Sequence, residues 1–238
     1  MSDFERLLDV QHLDTRGDQL RHRLTHDPLI AALADAEVAL VAAERALSAL
    51  KGQADEVRSV QRRHERAVED IEAKIARVNA TLYGGTVTAP KELEGLQHEI
   101  GTLTGLRDAA DDLVLEQMEL AEPLTAGVAE ATAEVTQRSA ALEAARQAVT
   151  VMQAEVGVEL DDVALQREAA AVGFDDALLA RYERIRSDLG GTAVARLGAG
   201  GKCEGCHLSL ARAEYDQIKR APTDEVVACP ECGRILVR

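Results

Sequence analysis

Aromatic side chains are scarce in this sequence of 238 residues: they make up 2% of it, and tryptophan is absent. Aromatic rings supply much of the bulk in a globular core, so a single large globule is not expected. Hydrophobic residues still account for 46% of the chain, and they are carried by Ala, Leu and Val beside many charged residues. This composition is typical of long helices that bury a narrow apolar seam. We therefore expect a mainly α, elongated protein.

Long apolar runs and a basic excess are missing as well. No stretch approaches the roughly 20 apolar residues that a membrane helix needs, and the first residues lack the basic and apolar regions of an export signal. The formal net charge of −15 should repel phosphate backbones and anionic lipid. We expect a cytoplasmic protein without a membrane partner. In that reducing compartment the four cysteines favour metal binding or redox chemistry over structural disulfides.

A heptad repeat between Pro28 and Leu82 predicts the first arm of an antiparallel coiled-coil hairpin. Asp27 followed by Pro28 is typical of a helix start, and the glycines and proline of residues 83–90 predict the tip loop. One apolar column consists of Leu33, Leu40, Leu47, Ala54, Gln61, Val68, Ile75 and Leu82. The other consists of Ala36, Ala43, Leu50, Val57, His64, Ile71 and Val78.

The return arm is expected to be less regular. Two columns resume after the tip, and a third, offset column beyond Pro123 predicts a stutter or kink near that proline. The first of these columns is Leu96, Leu103 and Ala110, the second is Leu106, Leu113 and Leu120, and the third is Val128, Val135, Leu142, Val149, Val156 and Val163.

Shorter elements flank the hairpin. A leucine-rich helix is expected before Pro28, and another helix should begin at Asp175 and end at Gly190-Gly191. Residues 192–197 then predict a short strand. We expect a helical coiled-coil domain over residues 1–190 and a second domain over residues 191–238.

The second domain contains two Cys-x-x-Cys pairs, Cys203 with Cys206 and Cys229 with Cys232, with 22 residues between the pairs. Two residues between cysteines let both sulfurs of a pair face one ion, and two such knuckles complete a tetrahedral shell with no open position. The spacing therefore predicts one structural Zn²⁺ held by these four cysteines. A segment this short has too few apolar residues to fold alone, so zinc should order it.

Two other chemistries share parts of this pattern. Cys-x-x-Cys-His at Cys203 to His207 is also a haem-attachment motif, but haem would leave the second pair unused and normally requires export. A redox dithiol would be expected in a strand-helix-strand context with a single reactive pair. Neither alternative explains both pairs, and zinc does.

The cysteine pairs, their spacer and the preceding helical hairpin together resemble the bacterial C4-type zinc-ribbon family. The resemblance implies a fold with a coiled-coil hairpin and a small β-containing zinc ribbon, and it implies Cys203, Cys206, Cys229 and Cys232 as the zinc ligands. Relatives in that family are adaptors linked to flagellar or type III secretion components, to the alternative sigma factor 54 and, in one case, to messenger RNA. The arms share a pattern rather than a motif, so no partner-binding residue can be carried over.

No catalytic motif stands out, so we expect a non-catalytic adaptor that binds protein partners through its arm and its ribbon. The alternative is a nucleic-acid-binding regulator, DNA or RNA, that acts through the ribbon. Residues 201–238 contain equal numbers of basic and acidic residues, which is a weak footprint for nucleic acid. A homodimer through the heptads is compatible with the same pattern.

Overall fold

The computed structural model describes residues 3–223 and 225–238, so Met1 and Ser2 of the first predicted domain and Asp224 of the second lie outside the described residues. The helices are α1 (Asp3–His26), α2 (Pro28–Tyr83), α3 (Pro90–Ala171), α4 (Asp176–Asp188) and α5 (Arg212–Arg220). Two strands, β1 (Val194–Arg196) and β2 (Ile235–Val237), and a short 3₁₀ turn at Ala199–Gly201 complete the described elements. The mainly α class is confirmed. Within the described part of the chain, no helix combines the length and the apolar character needed to cross a membrane.

Internal contacts divide the chain into two compact units. Residues 34–145 form one unit, called the arm here, and residues 1–33 with 146–238 form the other, called the base unit. The ribbon residues therefore belong to the same compact unit as α1 and the end of α3. The domain boundary near residue 190 stays a prediction.

The first arm of the hairpin is as predicted. All fifteen positions of the two heptad columns in α2 are buried or half-buried, with Ala43 and Ala54 the most enclosed. Asp27 is the N-cap: its carboxylate accepts a hydrogen bond from the Leu29 N–H at 3.0 Å, which satisfies one of the unpaired donors of the first turn. Residues 84–89 connect α2 to α3, and Gly85 adopts a φ of +74° in this tip.

The return arm corrects two predictions, one apolar column and the offset expected near Pro123. Leu106, Leu113 and Leu120 are 55%, 42% and 49% exposed, so this column is not in the seam. The seam instead follows the column that runs back from Val128 through Ala121, Val114 and further steps of seven. Because this column is already in phase before Pro123, no offset is needed, and α3 continues as one helix through the proline.

The core of the base unit forms on α1. Phe4, Leu7 and Val10 pack with Phe174, with Tyr182 and with both strands, and Leu7, Val10 and Tyr182 are fully enclosed. Further along the helix Leu20 packs with Met152 and Val156 of α3. The predicted leucine-rich helix before Pro28 is confirmed: its first half packs with both strands and its second half with α3.

Strand β2 and helix α5 of the ribbon were not predicted from the sequence. The predicted strand at residues 192–197 is present as β1, but it pairs in parallel with β2, with Val194 opposite Ile235 and Arg196 opposite Val237. Parallel strands need a long connection between them, and here that connection carries both cysteine pairs and helix α5. The pairing therefore joins the first and last segments of the ribbon.

Candidate metal centre

The two cysteine pairs sit in backbone turns of the same design. In the first turn the N–H of Cys203 donates to the carbonyl of Leu208 and the N–H of His207 donates to the carbonyl of Cys203, at 3.0 and 2.7 Å. In the second turn the N–H of Cys229 donates to the carbonyl of Arg234 and that of Gly233 to Cys229, both at 2.8 Å. Each turn is thus a zinc-knuckle loop that fixes its two sulfurs on one side.

The residue after each pair has a left-handed backbone conformation. Gly233 has a φ of +75°, which glycine adopts without a steric penalty, whereas His207 has a φ of +62° and is the one non-glycine residue with positive φ among the described residues. A side chain in this region costs roughly 1–2 kcal/mol. The first knuckle therefore contains backbone strain at His207, and the second, with glycine at the equivalent position, does not.

The four thiols meet at one point. All four sulfur atoms lie within 4.8 Å of one another, and the Sγ atoms of Cys203 and Cys232, and of Cys206 and Cys229, are 4.0 Å apart. Tetrahedral Zn–S bonds of about 2.3 Å place neighbouring sulfurs about 3.8 Å apart. Each close contact joins one pair to the other, so both knuckles share a single centre. His207 is exposed and is not part of this cluster.

The environments of the thiols differ. Burial raises the pKa of the Cys203 thiol, opposed by hydrogen bonds from the backbone of Cys206 and Gly205, and burial raises the pKa of Cys229 to about 12. Burial also acts upward on Cys232, but hydrogen bonds from the backbone and side chain of Arg234 contribute to a pKa lowered to about 7. A cation is needed to stabilise four thiolates at such a centre, and Zn²⁺ has the right size and ligand preference.

A small apolar core supports the centre. Cys203 and Cys229 are almost fully enclosed and pack with Ala195, Leu210, Ile218 and Leu236. Gly205 allows the closest approach: a Cβ at this position would lie 2.7 Å from Cδ of Arg234 and 2.9 Å from Cβ of Ala195. The first knuckle is therefore pressed against β1 and the residue that precedes β2.

Two arginines of the ribbon are held by internal hydrogen bonds. The guanidinium of Arg234 donates to the Thr192 hydroxyl at 2.9 and 3.1 Å. Arg238 donates to the carbonyls of Ile218 and Ala221 at 2.8 Å and of Pro222 at 2.6 Å, at the C-terminal end of α5. A cation at this end also interacts favourably with the helix dipole. Both side chains serve the fold of the ribbon.

Gln11 is the structural residue that the sequence reasoning missed. Its side chain is buried in α1; its amide oxygen accepts from the N–H groups of Ala193 and Val194, both at 2.7 Å, and its amide nitrogen donates to the Val194 carbonyl at 3.0 Å. Gln11 thereby fixes β1 against α1. The sequence did contain a sign of this role. Gln11 continues the helical spacing of Phe4, Leu7 and Leu8, so it is a polar residue at a position where the pattern predicts an apolar one.

A polar cluster lies beside this core. Asp14 accepts hydrogen bonds from the Tyr182 hydroxyl at 2.7 Å and from Arg167 at 3.1 Å, while Arg186 pairs with Asp18 at 2.5 Å. Burial, followed by the hydrogen bond to Asp14, raises the pKa of Tyr182 well above its usual range. The cluster joins α1 to α3 and α4, and its charges are paired with one another.

Comparisons with known proteins agree with this architecture. Residues 10–190 match the family described as the CT398-like coiled coil hairpin domain, and residues 202–236 match the C4-type zinc ribbon domain. An uncharacterized protein of Mycobacterium tuberculosis is 33% identical over 232 residues, which cover 98% of this chain and 94% of that protein.

Two solved structures resemble the fold. One, from Mycobacterium smegmatis, has a TM-score of 0.88 at 26% identity and covers all of both chains. The structure of CT398 from Chlamydia trachomatis has a TM-score of 0.69 at 18% identity, covering 98% of this chain and 96% of that one, and shows the fold alone. The ribbon match and the convergent thiols together give one structural Zn²⁺ site.

Proposed function

The chain belongs to the CT398-like coiled-coil hairpin family and carries a C4-type zinc ribbon, and on this premise we propose that it is a non-catalytic cytoplasmic adaptor. Cys203, Cys206, Cys229 and Cys232 are its zinc ligands, the ribbon is a recognition head, and the arm is a docking surface for protein partners. The function is binding rather than turnover.

The observation that carries the proposal is the closed donor set of the metal centre. Four thiols around one point supply every position of a tetrahedral ion, so the metal has no site for a water or a substrate. A zinc ion of this kind stabilises a fold and does not act as a Lewis acid. Its role is to hold the surface of the ribbon in one shape.

The surface supports a binding role. Large apolar side chains are exposed on the arm at Val38, Leu106 and Leu113 and on the ribbon at Leu208, with exposed fractions between 42% and 70%. Leu106 and Leu113 are seven residues apart and so share one face of α3, and aligned exposed apolar side chains are typical of sites that contact other proteins.

Nucleic-acid binding by the ribbon has less support. Of the six basic residues in residues 201–238, Arg234 and Arg238 are held by internal hydrogen bonds, and Lys219 lies 5.8 Å from the centre of the Tyr215 ring. Three exposed cations remain, Lys202, Arg212 and Arg220, and phosphate binding depends on many clustered Lys and Arg side chains.

Photo-crosslinking of the full-length chain in its native cells tests the proposal. A photoreactive residue at Val38 on the arm or at Leu208 on the ribbon should yield discrete protein adducts that persist after nuclease treatment. The same residue at exposed Ser139 serves as the matched control, because its neighbours Arg138 and Ala140 are not large apolar groups. Adducts that disappear with nuclease, together with co-purified nucleic acid, would overturn the adaptor proposal.

A further inference from the structure

A second apolar column runs along α3 in the base unit, on the side away from the core. Val151, Val158, Leu165 and Val172, the last just past the helix end, follow one another at intervals of seven and are 57%, 71%, 67% and 71% exposed. The column spans about 30 Å at about 1.5 Å per residue. The core column of the same helix segment, which includes Val149 and Val156, faces the opposite way.

This column is not required by the fold of the base unit. A helix that packs on one face is expected to present polar residues on the other. Here the outward face carries β-branched or leucine side chains at every heptad step, which is the spacing that receives another helix. Aligned exposed apolar residues of this kind mark interaction sites in soluble proteins.

Carboxylates flank the column. Glu155, Asp161, Asp162 and Glu168 lie three or four residues from its apolar members and are all exposed. Asp162 accepts a hydrogen bond from Gln166 at 2.8 Å; within the part of the chain that the structure describes, none of the four forms a salt bridge. We call these eight residues the acidic heptad face.

From this arrangement we infer that the acidic heptad face binds an amphipathic helix of another protein, one whose apolar seam is bordered by Lys or Arg. The apolar column would bury the partner's seam, and the carboxylates would pair with its basic flanks. This inference rests on the proposed adaptor function and names the chemical class of one partner.

A second copy of the chain fits this face less well. Self-pairing coiled coils use two apolar columns, and the column that would complete this one holds Asp161 and Glu168. Two copies would place these carboxylates against each other, in a protein whose formal net charge is already −15. Opposite charge on the partner removes the repulsion.

The test uses the full-length zinc-loaded protein and a synthetic helical peptide of about four heptads, with Leu in the seam and Lys or Arg at the flanks. Binding is measured by fluorescence anisotropy at about 0.15 M salt, where long-range attraction is screened. A peptide with the same seam and Glu at the flanks is the matched ligand control. The basic peptide should bind at least tenfold more tightly than the acidic one.

Three variants separate the contributions. Val158→Ser with Leu165→Ser removes the column without changing charge. Neutralising Glu155, Asp161, Asp162 and Glu168 to their amides removes the flanks. Neutralising four exposed acids of the arm in the same way, Glu44, Asp70, Glu116 and Glu119, is the control with an identical change in net charge. The first two variants should each weaken peptide binding at least tenfold, and the control by less than about twofold.

Several outcomes would overturn the inference. Equal losses of peptide affinity in the two charge-neutralised variants would show that only net charge matters. Unchanged affinity in the serine variant would show that the apolar column does not bind the peptide. A wild-type dimer in analytical ultracentrifugation that dissociates in the serine variant would assign the face to a second copy. None of these results affects crosslinking at Val38 or Leu208, so the adaptor proposal is tested separately. Thermal unfolding checks that every variant is folded.

Discussion

The arm and the base unit are stabilised by different kinds of contact. Seam contacts of the arm recur every seven residues, and each one resembles its neighbours. In the base unit single contacts join distant parts of the chain: Gln11 binds Val194 across 183 residues, and Tyr182 binds Asp14 across 168. Stability is therefore distributed along the arm and concentrated at a few residues of the base unit.

Metal removal should separate the two regions most sharply. Chelation, or Cys229→Ser, is expected to unfold residues 203–232 because structural zinc contributes on the order of 10 kcal/mol to such a site. Hydrogen exchange followed by mass spectrometry should show loss of protection there and none over residues 34–145. Protection should return when zinc is added back to the chelated wild type. Loss of protection in the arm as well would show that the regions are not independent.

The Gln11 contact is expected to have the next largest effect. Gln11→Ala leaves the buried N–H groups of Ala193 and Val194 and the carbonyl of Val194 without partners, which should cost about 3–5 kcal/mol of unfolding free energy. Gln19→Ala, at an exposed position of the same helix, is the control and should change stability by less than about 0.5 kcal/mol. Chemical denaturation measures both. Similar values for the two variants would remove Gln11 as the link between α1 and β1.

Two leucines of α3 compare seam and surface within the arm. Leu142→Ala should cost about 2–4 kcal/mol, because this side chain is 6% exposed. Leu120→Ala should cost less than about 1 kcal/mol, because this side chain is 49% exposed. The measurement is thermal unfolding by circular dichroism. An equal loss of stability in the two variants would show that Leu120 lies in the seam, as the heptad pattern predicted.

The buried Tyr182 hydroxyl predicts that the stability of the fold decreases at alkaline pH. Its pKa in the folded protein is raised above the ordinary value of 10.0 by burial and by the hydrogen bond to Asp14. The folded state therefore holds this proton more tightly than the unfolded chain. The contribution of the protonated Tyr182 hydroxyl to stability is fully present below about pH 10 and is lost as the pH rises further.

Tyr182→Phe should lower stability by about 1 kcal/mol at neutral pH and should flatten the decline of Tm above pH 10. Tyr83→Phe is the control, because Tyr83 is 81% exposed. An unchanged alkaline decline in Tyr182→Phe would assign it to other groups.

The smallest effect is expected at the knuckles. His207→Gly should stabilise the ribbon by at most about 1 kcal/mol, because the relief of the positive φ is partly offset by the backbone entropy that glycine loses on folding. Gly233→Ala, its counterpart in the second turn, should destabilise by about 1 kcal/mol. Competition with a zinc-binding dye measures both. A destabilising His207→Gly would show that the imidazole has contacts that outweigh the strain.

Much of the molecule follows from patterns along the chain. The α2 seam, the tip, the strand at β1 and the convergence of four cysteines all agree with the predictions, because helical repeats and zinc knuckles are local and have strict spacing. The error at Leu106, Leu113 and Leu120 has a physical cause: α3 has apolar residues on several faces, so more than one column in steps of seven can be drawn through it. Packing against α2 chooses between them.

Local sequence patterns specify the helical hairpin, its start and tip, and the metal centre, since each depends on residues close together in the chain or on the ligand chemistry of cysteine. The folded structure was needed to show that β1 pairs in parallel with β2, that Gln11 binds β1, and that Val158 and Leu165 face outward. These features join residues far apart in the chain or depend on which helix face is covered, and no local pattern encodes either.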